Sequence, residues 1–86
     1  MKIIRKPVDV IAVFKCGQLP MPLKVNMDIK GITSAVTISR VSKAEKIKAV
    51  GNIEIVYVCQ GDIAGHEKVF ELKYLASSLQ WILYKI

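Results

Sequence analysis

The sequence predicts an all-β protein, a small antiparallel meander of five or six strands curled into one barrel-like domain over residues 1–86. Aliphatic and aromatic residues alternate with other residues in several stretches, and a period of two is typical of β-strands. No helical pattern of about 10–15 residues separates these stretches, so a parallel sheet of βαβ units is not expected. Because the predicted sheet is apolar on both faces, closure into a barrel buries it most simply.

The central predicted element is a β-hairpin over residues 52–74. Alternation runs through residues 53–59 and again through residues 68–74. If Ala64 and Gly65 are the two turn residues, the numbers of opposite residues sum to 129. Six side chains then share one face, with Cys59 opposite Phe70, Tyr57 opposite Leu72 and Ile55 opposite Tyr74. A slip of one residue would turn one apolar set to solvent, so burial fixes this register.

The type of turn in this hairpin follows from the two central residues. A type I′ turn requires positive φ at both of them, which the Cβ of Ala64 disfavours. A type II turn requires positive φ only at the second, where glycine is the usual residue. The sequence therefore predicts a type II turn with Gly65 at positive φ.

Two strands are predicted near the start of the chain. Residues 1–6 form a short basic lead-in, and Pro7, which has no N–H to donate, opens a mostly apolar strand that ends at Phe14. A loop with two prolines follows, and residues 23–30 show the clearest alternation. The apolar face of that second strand holds Leu23, Val25, Met27 and Ile29, and the polar face holds Lys24, Asn26, Asp28 and Lys30.

The next stretch contains a strand and an ambiguous segment. Residues 33–41 are predicted to be a strand. In residues 42–50, Ser42 followed by Glu45 fits a capping box, so a short helix is one alternative. The other alternative is an extension of the strand or an exposed edge strand, because Ile47 alternates with charged residues.

The final predicted strand covers residues 79–86. One face holds Gln80, Ile82, Tyr84 and Ile86, and the other holds Leu79, Trp81, Leu83 and Lys85. Trp81 has two interpretations. It is a platform on which nucleic-acid bases stack, or a side chain that covers the second face of the sheet or plugs the barrel end.

The chain is basic, with 13 Lys and Arg against 7 Asp and Glu and a net charge of +6. This balance favours an anionic partner, either nucleic acid or an acidic protein surface. Alternatively, scattered lysines protect exposed strand edges from aggregation. The candidate residues for contact with an anionic partner or nucleic acid are Lys43, Lys46, Lys48, Trp81 and Lys85.

The sequence offers little catalytic or metal-binding chemistry. Its two cysteines and one histidine show none of the spacings typical of a zinc site, so no metal or cofactor is expected. Cys59 is predicted to be a buried apolar filler, Cys16 an inert loop thiol and His66 an exposed turn residue. We predict no catalytic residues and therefore no enzyme.

Location follows from hydropathy and cysteine content. No apolar run approaches the roughly 18 residues of a membrane span, and the N-terminus lacks the apolar segment and cleavage site of a signal peptide. Two cysteines far apart in the sequence, without a second pair, are typical of a chain whose thiols stay reduced. The expected location is the cytoplasm, without a membrane partner.

Three short motifs carry a resemblance to a known group. These are residues 5–14 (RKPVDVIAVF), residues 65–74 (GHEKVFELKY) and residues 81–86 (WILYKI). They resemble small uncharacterised all-β proteins of clostridia-like Gram-positive bacteria, and the resemblance spans most of the chain. It implies a small all-β domain in the bacterial cytosol, and it implies no activity and no site.

Two functions remain open at this point. The first is a non-catalytic β-domain that acts as a protein-interaction or structural module, with another protein or a homo-oligomer as partner. The alternative is a basic small barrel that binds single-stranded RNA or DNA, since such barrels combine a positively charged face with stacking aromatic rings.

Overall fold

Six antiparallel strands form a closed barrel in the computed structural model, which describes residues 1–29 and 31–86. The side chains of Ile29 and Ala49 are outside that description. In chain order the strands are β1 (Ile3–Val13), β2 (Met21–Ile29), β3 (Ile32–Ala49), β4 (Asn52–Ile63), β5 (His66–Leu75) and β6 (Gln80–Lys85). Each strand pairs with the next, and β6 pairs back with β1. The predicted all-β barrel is confirmed.

The β4–β5 hairpin has the predicted register. Every pair from Glu54 opposite Leu75 to Ile63 opposite His66 sums to 129, as expected. The six predicted inward side chains on this hairpin are all buried. Alternation in the sequence was sufficient here because both strands are regular along their whole length.

The predicted type of turn is wrong. Ala64 has φ 53° and Gly65 has φ 82°, and positive values at both residues are the signature of a type I′ turn. The twist of a type I′ turn matches the right-handed twist of paired strands, whereas a type II turn splays them. Pairing along β4 and β5 therefore outweighs the cost of about 1–2 kcal/mol for one L-residue in the left-handed region.

The first strand begins earlier than predicted. β1 starts at Ile3, so residues 3–6 belong to a strand and Pro7 lies inside it. This N-terminal part pairs with β6, with Pro7 opposite Ile82. The pairing with β2 starts only at Asp9, so the missing N–H of proline interrupts no β1–β2 hydrogen bond. A bulge at Arg5, whose φ is 56°, breaks the alternation of side chains. The sequence pattern therefore did not indicate that residues 3–6 belong to a strand.

The second strand follows the predicted facing only in part. Val25 and Met27 are fully buried, but Leu23 is 43% exposed. The β1–β2 register shifts here and leaves Leu23 as the extra residue of a bulge, while Pro22 takes the inward position. The predicted facing of residues 29–30 lies outside the described residues.

The ambiguous segment is a strand. β3 runs without interruption from Ile32 to Ala49, so the helix alternative for residues 42–50 is wrong and extension of the strand is confirmed. Its first part pairs with β2, and its second part pairs with β4. A helix of one or two turns is marginal by itself, whereas the long ladder with β4 pairs one edge of this segment along its whole length.

The barrel interior is filled by side chains from several strands. The largest fully buried ones are Tyr57, Phe70, Met27 and Leu72. The Trp81 ring centroid lies 5.4 Å from that of Tyr57 and 4.8 Å from that of Tyr74. The Tyr57 hydroxyl donates a hydrogen bond to the carbonyl oxygen of Pro20, which satisfies the polar end of a buried ring.

Gly61 lies where β3 passes from β2 to β4. It is the partner of Ile38, close to a shift in the β3–β4 register. A Cβ at this position would lie 2.8 Å from the carbonyl oxygen of Thr37 and 2.9 Å from Cγ1 of Val36. Only glycine allows the two backbones to approach this closely.

We predict that Phe70→Ala lowers the free energy of unfolding by about 3–5 kcal/mol, because truncating a buried ring leaves a cavity in a packed core. The measurement is urea unfolding followed by Trp81 fluorescence. Val69→Ala is the matched control, since Val69 is the adjacent residue and is 41% exposed; it should cost less than about 1 kcal/mol. If Phe70→Ala lowered the free energy of unfolding as little as Val69→Ala does, the inward position of the Phe70 side chain would be contradicted.

Candidate functional site

The three lysines of the predicted basic cluster lie on the second half of β3. All three are exposed, and strand alternation places Lys46 and Lys48 on one face and Lys43 on the other. Lys43 Nζ is 3.4 Å from Oε2 of Glu45. An exposed pair of this kind stabilises by at most about 1 kcal/mol. The cluster is therefore an exposed strip along β3. Lys43 is paired with Glu45, whereas Lys46 and Lys48 have no ion pair with a described carboxylate.

The other two candidate contact residues lie elsewhere. Trp81 is only 8% exposed and packs against Tyr57 and Tyr74, so it fills the barrel and presents no face on which a base could stack. Lys85 lies on β6, and the strand order places β4 and β5 between it and β3. The structure therefore does not bring the five predicted residues together.

Lys85 belongs to a different basic group, which surrounds Tyr84. The Tyr84 ring centroid lies 3.8 Å from Lys73 Nζ, 5.3 Å from Lys85 Nζ and 5.8 Å from Arg5 Cζ. The guanidinium of Arg5, followed by the charge of Lys73, lowers the pKa of the Tyr84 phenol. Glu54 offsets part of this charge, because its Oε1 is 3.6 Å from Lys73 Nζ.

Two register shifts create the group around Tyr84. The β1–β6 register shifts between Ile3 and Lys6, and the β5–β6 register shifts between Glu71 and Leu72. Bulges reorient side chains, and these two bring Arg5 to the Tyr84 ring. Sequence analysis missed the group because alternation contains no signal for a bulge.

An apolar patch lies on the outer face of β1 and β2. We name it the β1–β2 apolar patch, and it consists of Ile11, Val13, Met21 and Leu23. Ile11 is 63% exposed, Met21 and Leu23 are each 43% exposed, and Val13 is half-buried opposite Met21. A shallow hollow of about 200 Å³ lies between Val13, Leu19, Met21 and Leu23, with Lys15 and Gln18 also in its lining.

A larger cleft of about 550 Å³ opens where β1 separates from β2. The β1–β2 ladder ends at Asp9 opposite Asn26, and the cleft lies beyond this pair. Its lining mixes Lys6, Asp28 and Thr33 with apolar side chains. Within the described residues, no three His, Cys, Asp or Glu side chains are grouped to hold a metal ion.

The two thiols have different environments. Both are free, with Cys16 exposed and Cys59 buried, and the predicted burial of Cys59 is confirmed. Burial raises the pKa of the Cys59 thiol to about 12. It also raises the pKa of Tyr57 to about 12, with smaller contributions from Cys59 and Tyr74. Because the thiolate is the nucleophile, a thiol protonated up to such a pH is inert.

The single histidine lies at the β4–β5 turn. His66 is exposed and opposite Ile63, as predicted. None of the side-chain hydrogen bonds between described residues joins it to a nucleophile. The expectation that the protein is not an enzyme stays a prediction.

Comparisons with protein-family models, with curated proteins and with solved structures found no match. The resemblance to the clostridial group stays a prediction. Within the described part of the chain, no helix is long and apolar enough to cross a membrane. The expected cytoplasmic location also stays a prediction. The fold defines the chain as a small closed β-barrel.

The raised pKa values predict a loss of stability at alkaline pH. The ordinary pKa values of a cysteine thiol and a tyrosine phenol are 9.0 and 10.0, so above about pH 9 the unfolded chain releases protons that the folded chain keeps. The free energy of unfolding therefore falls as pH rises from about 9 towards about 12, and these groups add no slope at lower pH. Urea unfolding between about pH 8 and pH 11 measures this slope.

Two variants separate the thiol contribution from general alkaline effects. Cys59→Ala removes one of the titrating groups, so its stability should depend less steeply on pH than that of the wild type. Cys16→Ala removes the exposed thiol and serves as the matched control. Equal slopes in all three proteins would contradict the assignment to Cys59.

Proposed function

We propose that this protein is a non-catalytic interaction module that binds another protein through the β1–β2 apolar patch. The observation that supports the proposal is the exposure of Ile11, Met21 and Leu23 on one outer face of the barrel. Contiguous apolar surface of this kind marks interaction sites, and covering it gains about 25 cal/mol per Å².

The shape of the patch suits one anchoring side chain of a partner. The hollow between Val13, Leu19 and Met21 is about 200 Å³, enough for one large apolar group, and a few such anchors supply most of the energy of an interface. Lys15 and Gln18 border the hollow and provide a polar rim. Leu23 reaches this face only because of the β2 bulge, so the irregular strand adds an apolar side chain to the outer surface.

The environments of Cys59 and His66 support a function without covalent catalysis by these two residues. Cys59 is buried and protonated at ordinary pH because its pKa is raised to about 12. His66 lies on an exposed turn. A nucleophile and a base within hydrogen-bond reach are the usual minimum for covalent catalysis, and these two residues do not supply it.

A second candidate function is the binding of single-stranded RNA or DNA. Phe14 is 62% exposed, with its ring edge on Tyr74 at a centroid distance of 5.7 Å, so it offers an accessible ring for stacking. Lys46 is in the same cross-strand row as Tyr74, because both pair with Ile55. The net charge of +6 also favours an anionic partner.

We predict that a photo-crosslinking residue in place of Met21 captures a discrete protein partner in cells. Leu23→Glu in the same chain should abolish the product, because a carboxylate at the interface costs more than it gains. Val69→Glu is the matched control, because Val69 is exposed to nearly the same degree on another strand. The mass of the product distinguishes a second copy from a different protein. If Leu23→Glu left the amount of crosslinked product unchanged, the β1–β2 apolar patch would not be the binding surface.

We predict that replacing Lys43, Lys46 and Lys48 with Gln does not change binding to single-stranded oligonucleotides in gel shifts at low and moderate salt. The variant should fold normally and aggregate more, because edge lysines oppose strand association. Replacing Lys15, Lys24 and Lys68 gives a control of equal charge. If only the β3 variant loses a wild-type shift, with a salt slope lower by up to roughly 0.7 per contact, nucleic-acid binding becomes the leading function.

A further inference from the structure

From Ile38 onward, one edge of β3 has no strand partner among the described residues. The β2–β3 ladder ends at Lys24 opposite Thr37, and from Ile38 onward β3 pairs with β4 alone. Backbone hydrogen bonds outside the ladders join residues 2 and 86, 15 and 18, 53 and 76, and 75 and 78. Within the described residues, none of them reaches residues 42–48 of β3. We name these residues the open edge.

The pairing pattern identifies which backbone groups of the open edge are free. A two-residue turn at residues 50–51 joins Ala49 to Asn52, which are opposite each other. In such a hairpin the flanking residues exchange hydrogen bonds, and every second residue before them directs its N–H and C=O away from the partner strand. Ala44, Lys46 and Lys48 therefore present their backbone donors and acceptors to solvent.

The charges of the open edge select the kind of strand that fits it. Lys46 and Lys48 share a face and have no ion pair with a described carboxylate, whereas Lys43 is paired with Glu45. A second copy in antiparallel alignment about Lys46 would place like charges opposite each other, which is destabilising. A segment with carboxylates at alternating positions would instead place them beside Lys46 and Lys48.

We propose that the open edge of β3 binds an extended acidic segment of a partner protein by β-strand addition. The free groups of Ala44, Lys46 and Lys48 supply the backbone hydrogen bonds, and the two lysine side chains supply the preference for acidic residues. The same lysines that oppose pairing with another copy of this chain favour a strand of opposite charge. This surface is separate from the β1–β2 apolar patch and goes beyond the function proposed for that patch.

The test uses three labelled synthetic peptides of about ten residues, a length typical of an added strand. One alternates Val with Glu, one alternates Val with Gln, and one is the Glu peptide with N-methyl groups on its central amides. Fluorescence anisotropy should show binding of the first, binding at least about tenfold weaker for the second, and no binding of the third. The N-methylated peptide keeps its charge, so its loss of binding distinguishes strand addition from electrostatic attraction.

Protein variants and hydrogen exchange locate the binding site. Lys46→Gln with Lys48→Gln should weaken binding of the Glu peptide about five- to tenfold, whereas Lys24→Gln with Lys68→Gln should leave it unchanged. With the Glu peptide bound, the amides of Ala44, Lys46 and Lys48 should exchange more slowly. The amides of Glu45 and Ile47 already face β4 and should change little. Leu23→Glu should bind the peptide normally, which separates this surface from the apolar patch.

Several results would overturn the proposal. Equal binding of the N-methylated peptide would show that charge alone acts, and equal binding of the Gln peptide would remove the preference for acidic residues. No binding of the Glu peptide, or protection that does not alternate along β3, would exclude strand addition. Displacement of the peptide by an oligothymidine of about ten nucleotides, bound more tightly, would assign the surface to nucleic acid.

Discussion

The close passage of β3 over Gly61 is the contact on which the closed barrel depends. A side chain at Gly61 would meet the backbone oxygen of Thr37 at 2.8 Å, which no rotamer change of a neighbour can relieve. Because glycine is present, one strand of 18 residues serves two sides of the barrel, first beside β2 and then beside β4. The length of β3 and its unpaired edge both follow from this transfer.

The interior shows how aromatic side chains fill a small barrel. Tyr57, Tyr74 and Trp81 pack with ring centroids about 5 Å apart, and such aromatic pairs add to the gain from burial. The hydroxyl of Tyr57 would be costly to bury without a partner, and the carbonyl oxygen of Pro20 accepts its hydrogen bond. This bond also attaches the loop between β1 and β2 to the core.

The sequence was informative wherever the strands are regular. The register of the β4–β5 hairpin could be predicted to the residue, although its turn type could not, because every second side chain enters the core and one register alone buries both apolar sets. Prediction failed where the structure departs from alternation, at Arg5, at Leu23 and at Tyr84. Such shifts depend on how neighbouring strands curve around the barrel, which a local pattern does not contain. For this reason neither candidate surface could be fully predicted from the sequence. The β1–β2 apolar patch depends on a bulge in β2, and the open edge depends on where the β2–β3 ladder ends.

The pairing of β1 with β6 has a consequence for how the chain folds during synthesis. The Lys2 amide donates to the carbonyl oxygen of Ile86 at 2.7 Å, and the Ile86 amide donates back to that of Lys2 at 3.0 Å. As the chain leaves the ribosome, β1 can pair with β2 early, but its other edge has no partner until β6 has emerged. Contacts between such distant segments form slowly, and unpaired edges expose a nascent chain to aggregation. Release of β6 from the exit tunnel is therefore the event that gives the N-terminal half of β1 its strand partner.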